Sequence, residues 1–125
     1  MKLVIKPQDT IKSIQDKIQE AYSNIKIEFF SKEHKEGKLT NVKFQYFNKD
    51  MNMESLGLKS EMSIEINPDT IIWDIEKKFE QLGNLHIQVF RKGGEVWIET
   101  SKSDQWSIGE ANSLGDISTI NTIVI

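Results

Sequence analysis

The chain has 125 residues, of which 38% are hydrophobic and 28% charged, and its formal net charge is −3 at pH 7. This composition is typical of one globular domain with its own core and argues against disorder. The sequence contains no cysteine, which excludes disulfides, thiol nucleophiles and thiolate metal sites. No apolar run reaches the roughly 18 residues of a membrane span, so we expect a cytoplasmic protein without membrane contact.

The basic residues are almost all lysine, since Arg91 is the one arginine among 16 basic side chains. Arginine makes most of the bidentate contacts to phosphates and guanine bases. The lysines near residue 35 alternate with glutamates, so no basic stripe results. We therefore expect no nucleic-acid partner.

The first 47 residues predict a unit of strand, helix, strand and strand. An alternating segment ends at Ile5, and Pro7 followed by Thr10 is typical of a helix start. One apolar stripe at helical spacing follows, formed by Ile11, Ile14 and Ile18. Alternation with a period of two predicts strands at residues 24–32 and 42–47.

The same order recurs about 60 residues later, in a second unit at residues 61–100. Pro68 and Thr70 repeat the helix-start signal. The second apolar stripe is formed by Ile72, Ile75 and Phe79. Residues 84–92 and 95–100 are the corresponding strands. The pattern predicts an internal repeat.

A hairpin turn is predicted between the last two strands of the second unit. Gly93 and Gly94 supply the positive φ angles that a two-residue turn requires. Such a turn pairs Phe90 with Trp97 and puts both rings on the outer face of the sheet. The opposite face is expected to be core, and it carries Ile87, Val89, Val96 and Ile98.

We predict one α+β domain spanning residues 1–125. Residues 101–125 form its C-terminal loop and a β-branched last strand at 118–125. Two helices cannot cover both faces of a wide sheet, so we expect a mixed sheet with two helices, similar to a β-grasp. A ferredoxin-like fold is the alternative, because it also consists of two strand-helix-strand units.

The N-terminal half resembles the ubiquitin family. Residues 5–19, with Pro7, Asp9-Thr10-Ile11 and Lys17-Ile18-Gln19, are similar to its second strand and helix start. Residues 56–66 are similar to its final turn and strand. The resemblance implies a β-grasp unit and a ubiquitin-like modifier, or a non-conjugated relative, as an alternative function. The sequence ends in Ile-Val-Ile instead of Gly-Gly, so we do not expect conjugation.

The C-terminal half resembles a segment of small bacterial proteins of unknown function. The similarity covers residues 88–100 and 104–108 together with Asn112. Its most specific elements are Phe90-Arg91-Lys92 and the Trp97-x-Glu99-Thr100 segment. It implies a folded protein and no particular activity.

The predicted binding surface lies on the outer face of the hairpin. Large aromatic rings among polar residues on an outer face usually mark a contact surface. The candidate anchors and polar rim are Phe90, Trp97, Gln88, Glu99 and Arg91, with Trp73 as a further anchor beside the second helical stripe. The alternative is that residues 101–115 fold across this face and bury the rings.

A catalytic alternative combines His86 with Glu99 or Asp104, as a general base and the carboxylate that orients it. The sequence has no nucleophile elbow, no phosphate-binding glycine loop and no metal-ligand spacing. We therefore expect a protein-protein interaction module, and not an enzyme, that binds a protein partner or a second copy of itself. It would need no cofactor and no metal.

Overall fold

A computed structural model describes residues 1–32, 42–100 and 105–115. The predicted last strand at 118–125 and the candidate Asp104 lie outside the described residues. The strands are β1 (Lys2–Ile5), β2 (Ile25–Phe30), β3 (Met62–Glu65), β4 (His86–Gly93) and β5 (Val96–Glu99). The α-helices are α1 (Ile11–Ala21), α2 (Met53–Leu56), α3 (Ile72–Gly83) and α4 (residues 108–115), and Val42–Phe44 is a 3₁₀ helix.

The α+β class is confirmed, but the strands form two antiparallel sheets instead of one mixed sheet. One sheet contains β1 and β3, and the other has the order β2-β4-β5. Each strand-helix-strand unit contributes one strand to each sheet. The helix within a unit therefore connects two sheets, and the strands on either side of it do not pair with each other.

The hairpin turn lies one residue later than predicted. Gly93 is the last residue of β4 and pairs with Val96, so Gly94 and Glu95 form the turn. Of the two glycines, Gly94 alone has a positive φ, 64°. Phe90 consequently pairs with Glu99 instead of Trp97. Moving the turn by one residue changes the pairing between the two strands by two residues. Because side chains alternate with a period of two, every residue keeps its predicted face.

The strand predicted at residues 42–47 is replaced by the 3₁₀ helix and a single bridge between Phe30 and Gln45. The Gln45 N–H donates to the Val42 carbonyl at 3.0 Å, which closes a turn where an extended backbone was expected. The segment still lies along β2, since the Tyr46 N–H donates to the Phe29 carbonyl at 2.9 Å.

The two predicted helical stripes are fully buried and form the centre of the core. They pack against the inner faces of both sheets, and the Phe29 and Phe79 rings meet edge-on with centroids 6.2 Å apart. Ile108 and Ala111 of α4 belong to the same core. Ile108 and Ala111 therefore place α4 on the helical side of the molecule, and not across the aromatic face as the alternative supposed. Residues 101–104 of that segment lie outside the described residues.

The two helices begin differently. Thr10 caps α1 as predicted, and its Oγ1 accepts from the Ser13 N–H at 3.1 Å. The cap of α3 is Ile71, whose side chain makes no capping hydrogen bond. Thr70 lies one residue too early, and its Oγ1 accepts from the Asn67 N–H at 2.9 Å.

The correspondence between the two halves extends beyond the predicted units. Residues are called equivalent here when they follow Pro7 and Pro68 at the same distance. The Met53 N–H donates to the Asp9 carbonyl at 2.8 Å, and the Ile108 N–H donates to the carbonyl of the equivalent Thr70 at 2.9 Å. The next N–H of each short helix donates to the carbonyl of its proline. α2 and α4 therefore dock on the loops that precede α1 and α3 through the same backbone hydrogen bonds.

Candidate interaction surface

The aromatic residues of the hairpin lie on the outer face of the β2-β4-β5 sheet, as predicted, but a lysine lies over them. Lys26 of β2 pairs with Phe90, and its Nζ lies 5.3 Å from the centroid of the Phe90 ring and 5.1 Å from that of Trp97. Both rings are partly buried. This arrangement, here called the outer-face cluster, is held by cation-π attraction and by contact with the lysine stem.

The rest of this face offers less polar contact surface than predicted. Gln88 is 0% exposed, and its Nε2 donates to the Val89 carbonyl at 3.2 Å. Gln88 therefore cannot serve as a polar rim, because a partner cannot reach it. Glu28 is also buried and lies between two lysines, with Lys49 Nζ at 2.5 Å and Lys26 Nζ at 3.6 Å.

Within the hairpin, the exposed aliphatic side chains lie on the opposite face. Val96 is 61% and Ile98 39% exposed, although both were expected in the core. Ile98 pairs with Arg91, whose guanidinium carbon lies 5.9 Å from the centroid of the Trp106 ring. Trp106 is itself 36% exposed. Val96, Ile98, Arg91 and Trp106 are here called the hairpin patch.

The patch exists because the hairpin extends past the part of the sheet that the helices cover. Ile87 and Val89, in the first half of β4, are buried on the inner face. Arg91 and Gly93, further along the same face, are partly exposed. Alternation in the sequence assigns residues to a face but does not indicate where the covering helices end, so the exposure of Val96 and Ile98 was missed.

The predicted site residues therefore separate into three places. Phe90, Trp97 and Glu99 share the outer face, with Glu99 directly opposite Phe90. Arg91 belongs to the hairpin patch on the other face. Trp73 is partly buried on the first turn of α3 and does not belong to the hairpin strands. Lys26 and Trp106 were not among the predicted site residues, because the alternation that identified the site covers only the two hairpin strands.

His86 and Glu99 of the catalytic alternative do not meet, whereas its other carboxylate, Asp104, lies outside the described residues. His86 Nδ1 lies 3.1 Å from Oε1 of Glu80 on α3. Glu99 is opposite Phe90, which is four residues further along β4. Four residues of strand span about 13 Å, which is too far for a hydrogen bond between the two side chains.

Within residues 1–32, 42–100 and 105–115, no group of three histidine or carboxylate side chains is arranged to hold a metal ion. In the same ranges, no helix is both long and apolar enough to cross a bilayer. No protein-family profile, no curated protein and no solved structure matches the chain.

Proposed function

We propose that the protein is a non-catalytic protein-protein interaction module, and that the hairpin patch is its main contact surface. The observation that carries this proposal is the adjacency of three exposed apolar side chains around one arginine on a single face. Single exposed apolar residues are common on protein surfaces, whereas contiguous groups of them usually mark contact sites. Tryptophan and arginine are also the residue types that dominate binding energy in interfaces.

The energetics favour such a role. Full burial of an aliphatic side chain stabilises a complex by about 1.5–3 kcal/mol, and Val96 and Ile98 each expose a large part of theirs. Both side chains project from a strand that pairs with β4, which in turn pairs with β2. A strand held in this way loses little conformational freedom on binding, so more of the burial energy remains as affinity.

The outer-face cluster stabilises the same hairpin from the face opposite the hairpin patch. Lys26 contacts both Phe90 and Trp97, and these two rings come from the two strands of the hairpin. This contact resists splaying of the strands. We assign the cluster a supporting role and the patch the contact role, because the rings are partly covered whereas Val96 and Ile98 are open.

The non-catalytic part of the proposal rests on His86. Its Nδ1 lies 3.1 Å from the Glu80 carboxylate, and both side chains are partly buried. A general base needs a substrate-binding cleft beside it as well as an orienting carboxylate. Three grooves formed by the described residues are lined by other side chains, and none of these three includes His86.

The test compares the wild-type protein with a Val96→Ser/Ile98→Ser variant and with a Leu82→Ser control. Leu82 is 55% exposed on α3, so its substitution removes exposed apolar surface at a different place on the molecule. Each tagged protein is incubated with lysate of the native host, and retained proteins are quantified by mass spectrometry. Sedimentation of the purified proteins measures self-association in parallel, and circular dichroism checks their folding.

We expect a partner that the wild type and the Leu82 control retain and that the double variant loses by about tenfold or more. Self-association of the wild type that disappears in the double variant alone would identify the partner as a second copy. The proposal is wrong if the double variant retains the same proteins as the control. It is also wrong if the wild type neither retains a protein nor self-associates.

A further inference from the structure

One edge of the β1-β3 sheet presents backbone groups that the sheet does not use. Met1 and Ile66 exchange backbone hydrogen bonds, with the Ile66 N–H donating to the Met1 carbonyl at 2.8 Å. Bonded and non-bonded pairs alternate along an antiparallel ladder. Leu3 and Ile5 therefore bond to β3, whereas the N–H and C=O groups of Lys2 and Val4 point away from it.

This edge opens into a groove. The groove has a volume of about 490 Å³ and lies between β1 and α1. Its walls are residues 1–4 on one side and Lys17, Glu20 and Ala21 on the other. Lys17 Nζ donates to the Val4 carbonyl at 3.4 Å, which shows that this carbonyl faces the groove. Within the described parts of the chain, β1 pairs with β3 alone.

The two outer edges of the β1-β3 sheet, here called the β1 flank and the β3 flank, differ in their side chains. α1 has the small Ala21 at the wall of the groove, where α3 has the larger Leu82 at the equivalent position. On the strands, Lys2 and Val4 of β1 are equivalent to Ser63 and Glu65 of β3. The β1 flank therefore has a smaller side chain on its helix and is more basic than the β3 flank.

We propose that the edge of β1 binds an extended peptide segment of a partner protein, which joins the sheet as a third strand and carries an acidic side chain opposite Lys17. An added strand would supply the acceptors and donors that Lys2 and Val4 lack within the sheet. Two lysines and one glutamate line the groove, so its charge favours an acidic segment.

The charge of the groove also argues against a second copy of this chain as the occupant. Antiparallel pairing of β1 with itself would bring Lys2 and Lys17 close to the same residues of the other copy. Like charges across a strand pair are destabilising, and edge lysines are a common protection against such self-pairing. This groove is separate from the hairpin patch, so either proposal can fail without the other.

The test uses two matched proline variants of the full chain. Val4→Pro removes an N–H that points into the groove and leaves the bonds between β1 and β3 in place. Ser63→Pro makes the same change in the residue paired with Val4, whose N–H points to the opposite edge. The probes are two capped eight-residue peptides, one alternating valine with glutamate and the other alternating valine with lysine.

Binding is followed by amide NMR signals and by hydrogen exchange. We expect the glutamate peptide to shift and protect the Lys2 and Val4 amides of the wild type, and to bind about tenfold more tightly than the lysine peptide. Val4→Pro should weaken binding about tenfold, whereas Ser63→Pro should leave it nearly unchanged. Lys17→Glu, which keeps the backbone intact, should reverse the preference between the peptides.

Three results would overturn the proposal. The first is the absence of binding to the wild type at millimolar peptide. The second is a shift pattern that leaves out β1. The third is equal binding of both peptides to the wild type and to Lys17→Glu. If a proline variant loses its native amide spectrum, Lys17→Glu alone decides the question.

Discussion

In each strand-helix-strand unit, a helix side chain makes a hydrogen bond to the backbone of the following strand, but the two side chains have opposite hydrogen-bonding roles. Gln15 on α1 and Glu76 on α3 are equivalent residues, and each follows a buried isoleucine of its helical stripe. Gln15 Nε2 donates to the Ile27 carbonyl of β2 at 2.7 Å. Glu76 Oε2 accepts from the Val89 N–H of β4 at 3.3 Å. A donor in one unit thus corresponds to an acceptor in the other.

The difference shows that a polar side chain on the inner face of a helix can serve a strand backbone either as a donor or as an acceptor. Beside β2, the next segment makes a single bridge at Gln45. Beside β4, the ladder of β5 ends at Glu99, opposite Phe90, so the Val89 N–H lies just past its end. In both units the helix supplies a side chain where regular pairing of the strand stops. A buried backbone group without a partner would be costly there.

The short helices differ as well. Gly57, with φ 121°, ends α2 after four residues and lies beside Asn84. Asn112 has the same place in α4, which continues to residue 115. Asn112 Oδ1 accepts from the Asn24 N–H at 2.9 Å, so α4 is joined to the first unit by a side chain.

The largest expected difference between the units concerns the core. Phe79→Ala should lower the free energy of unfolding by about 3–5 kcal/mol, because it leaves a cavity beside Phe29. The equivalent Ile18→Ala should cost about 2–5 kcal/mol and less than Phe79→Ala. Urea unfolding followed by tryptophan fluorescence measures both. A larger loss for Ile18→Ala would mean that the first unit dominates the core.

The next largest effect tests the two edge contacts. Glu76→Ala should cost about 1–3 kcal/mol, because it leaves a buried N–H of Val89 without this acceptor. Gln15→Ala should cost about 0.5–1.5 kcal/mol, since its contact is only partly buried. The same unfolding measurement applies, with Glu76→Gln as a control that keeps an acceptor oxygen. Equal costs for the two alanine variants would contradict the comparison.

The two helix starts predict a smaller difference. Thr10→Ala should cost about 1 kcal/mol, because Thr10 caps α1. Thr70→Ala should cost less, because Thr70 precedes the cap of α3 and its Oγ1 holds an exposed loop N–H. Thermal unfolding of the two variants at one pH distinguishes them. A cost for Thr70→Ala that equals or exceeds that of Thr10→Ala would show that Thr70 determines the start of α3.

The smallest effect concerns Tyr22, at the end of α1, where α3 has the equivalent Gly83. Burial raises the pKa of the Tyr22 phenol above its ordinary value of 10.0. The fold therefore favours the neutral phenol, and this contribution is complete below pH 10 and is lost as the pH rises through the raised pKa. Above pH 10, Tyr22→Phe should lose less stability than the wild type. Equal alkaline losses in denaturant titrations would contradict this.

Much of the local structure could be predicted because its signals lie within a few residues. The apolar stripes at Ile11 and Ile72, the cap at Thr10 and the hairpin at Gly94 all follow from spacing or from one residue's conformational preference. Two of the local errors are of a single residue, at Gly93 and Thr70, because a glycine pair or a threonine near a boundary is compatible with two alignments of the turn or cap.

The candidate site was predicted only in part. Alternation along β4 and β5 correctly separated Phe90 and Trp97 from Val96 and Ile98. It could not indicate which of these residues are covered, because cover comes from elements distant in the sequence. Lys26, which lies over the aromatic rings, is more than 60 residues from Phe90 along the chain. The buried position of Gln88 was missed for the same reason.

The sequence by itself determined the α+β class, the two helical stripes and the face that each strand residue occupies, because these depend on local periodicity. Only the tertiary structure decided that β1 pairs with β3 and β2 with β4, that α4 packs on α3, and that the end of the hairpin is left open. These features depend on contacts between segments about 40 to 60 residues apart, and many pairings of such segments would bury the same stripes.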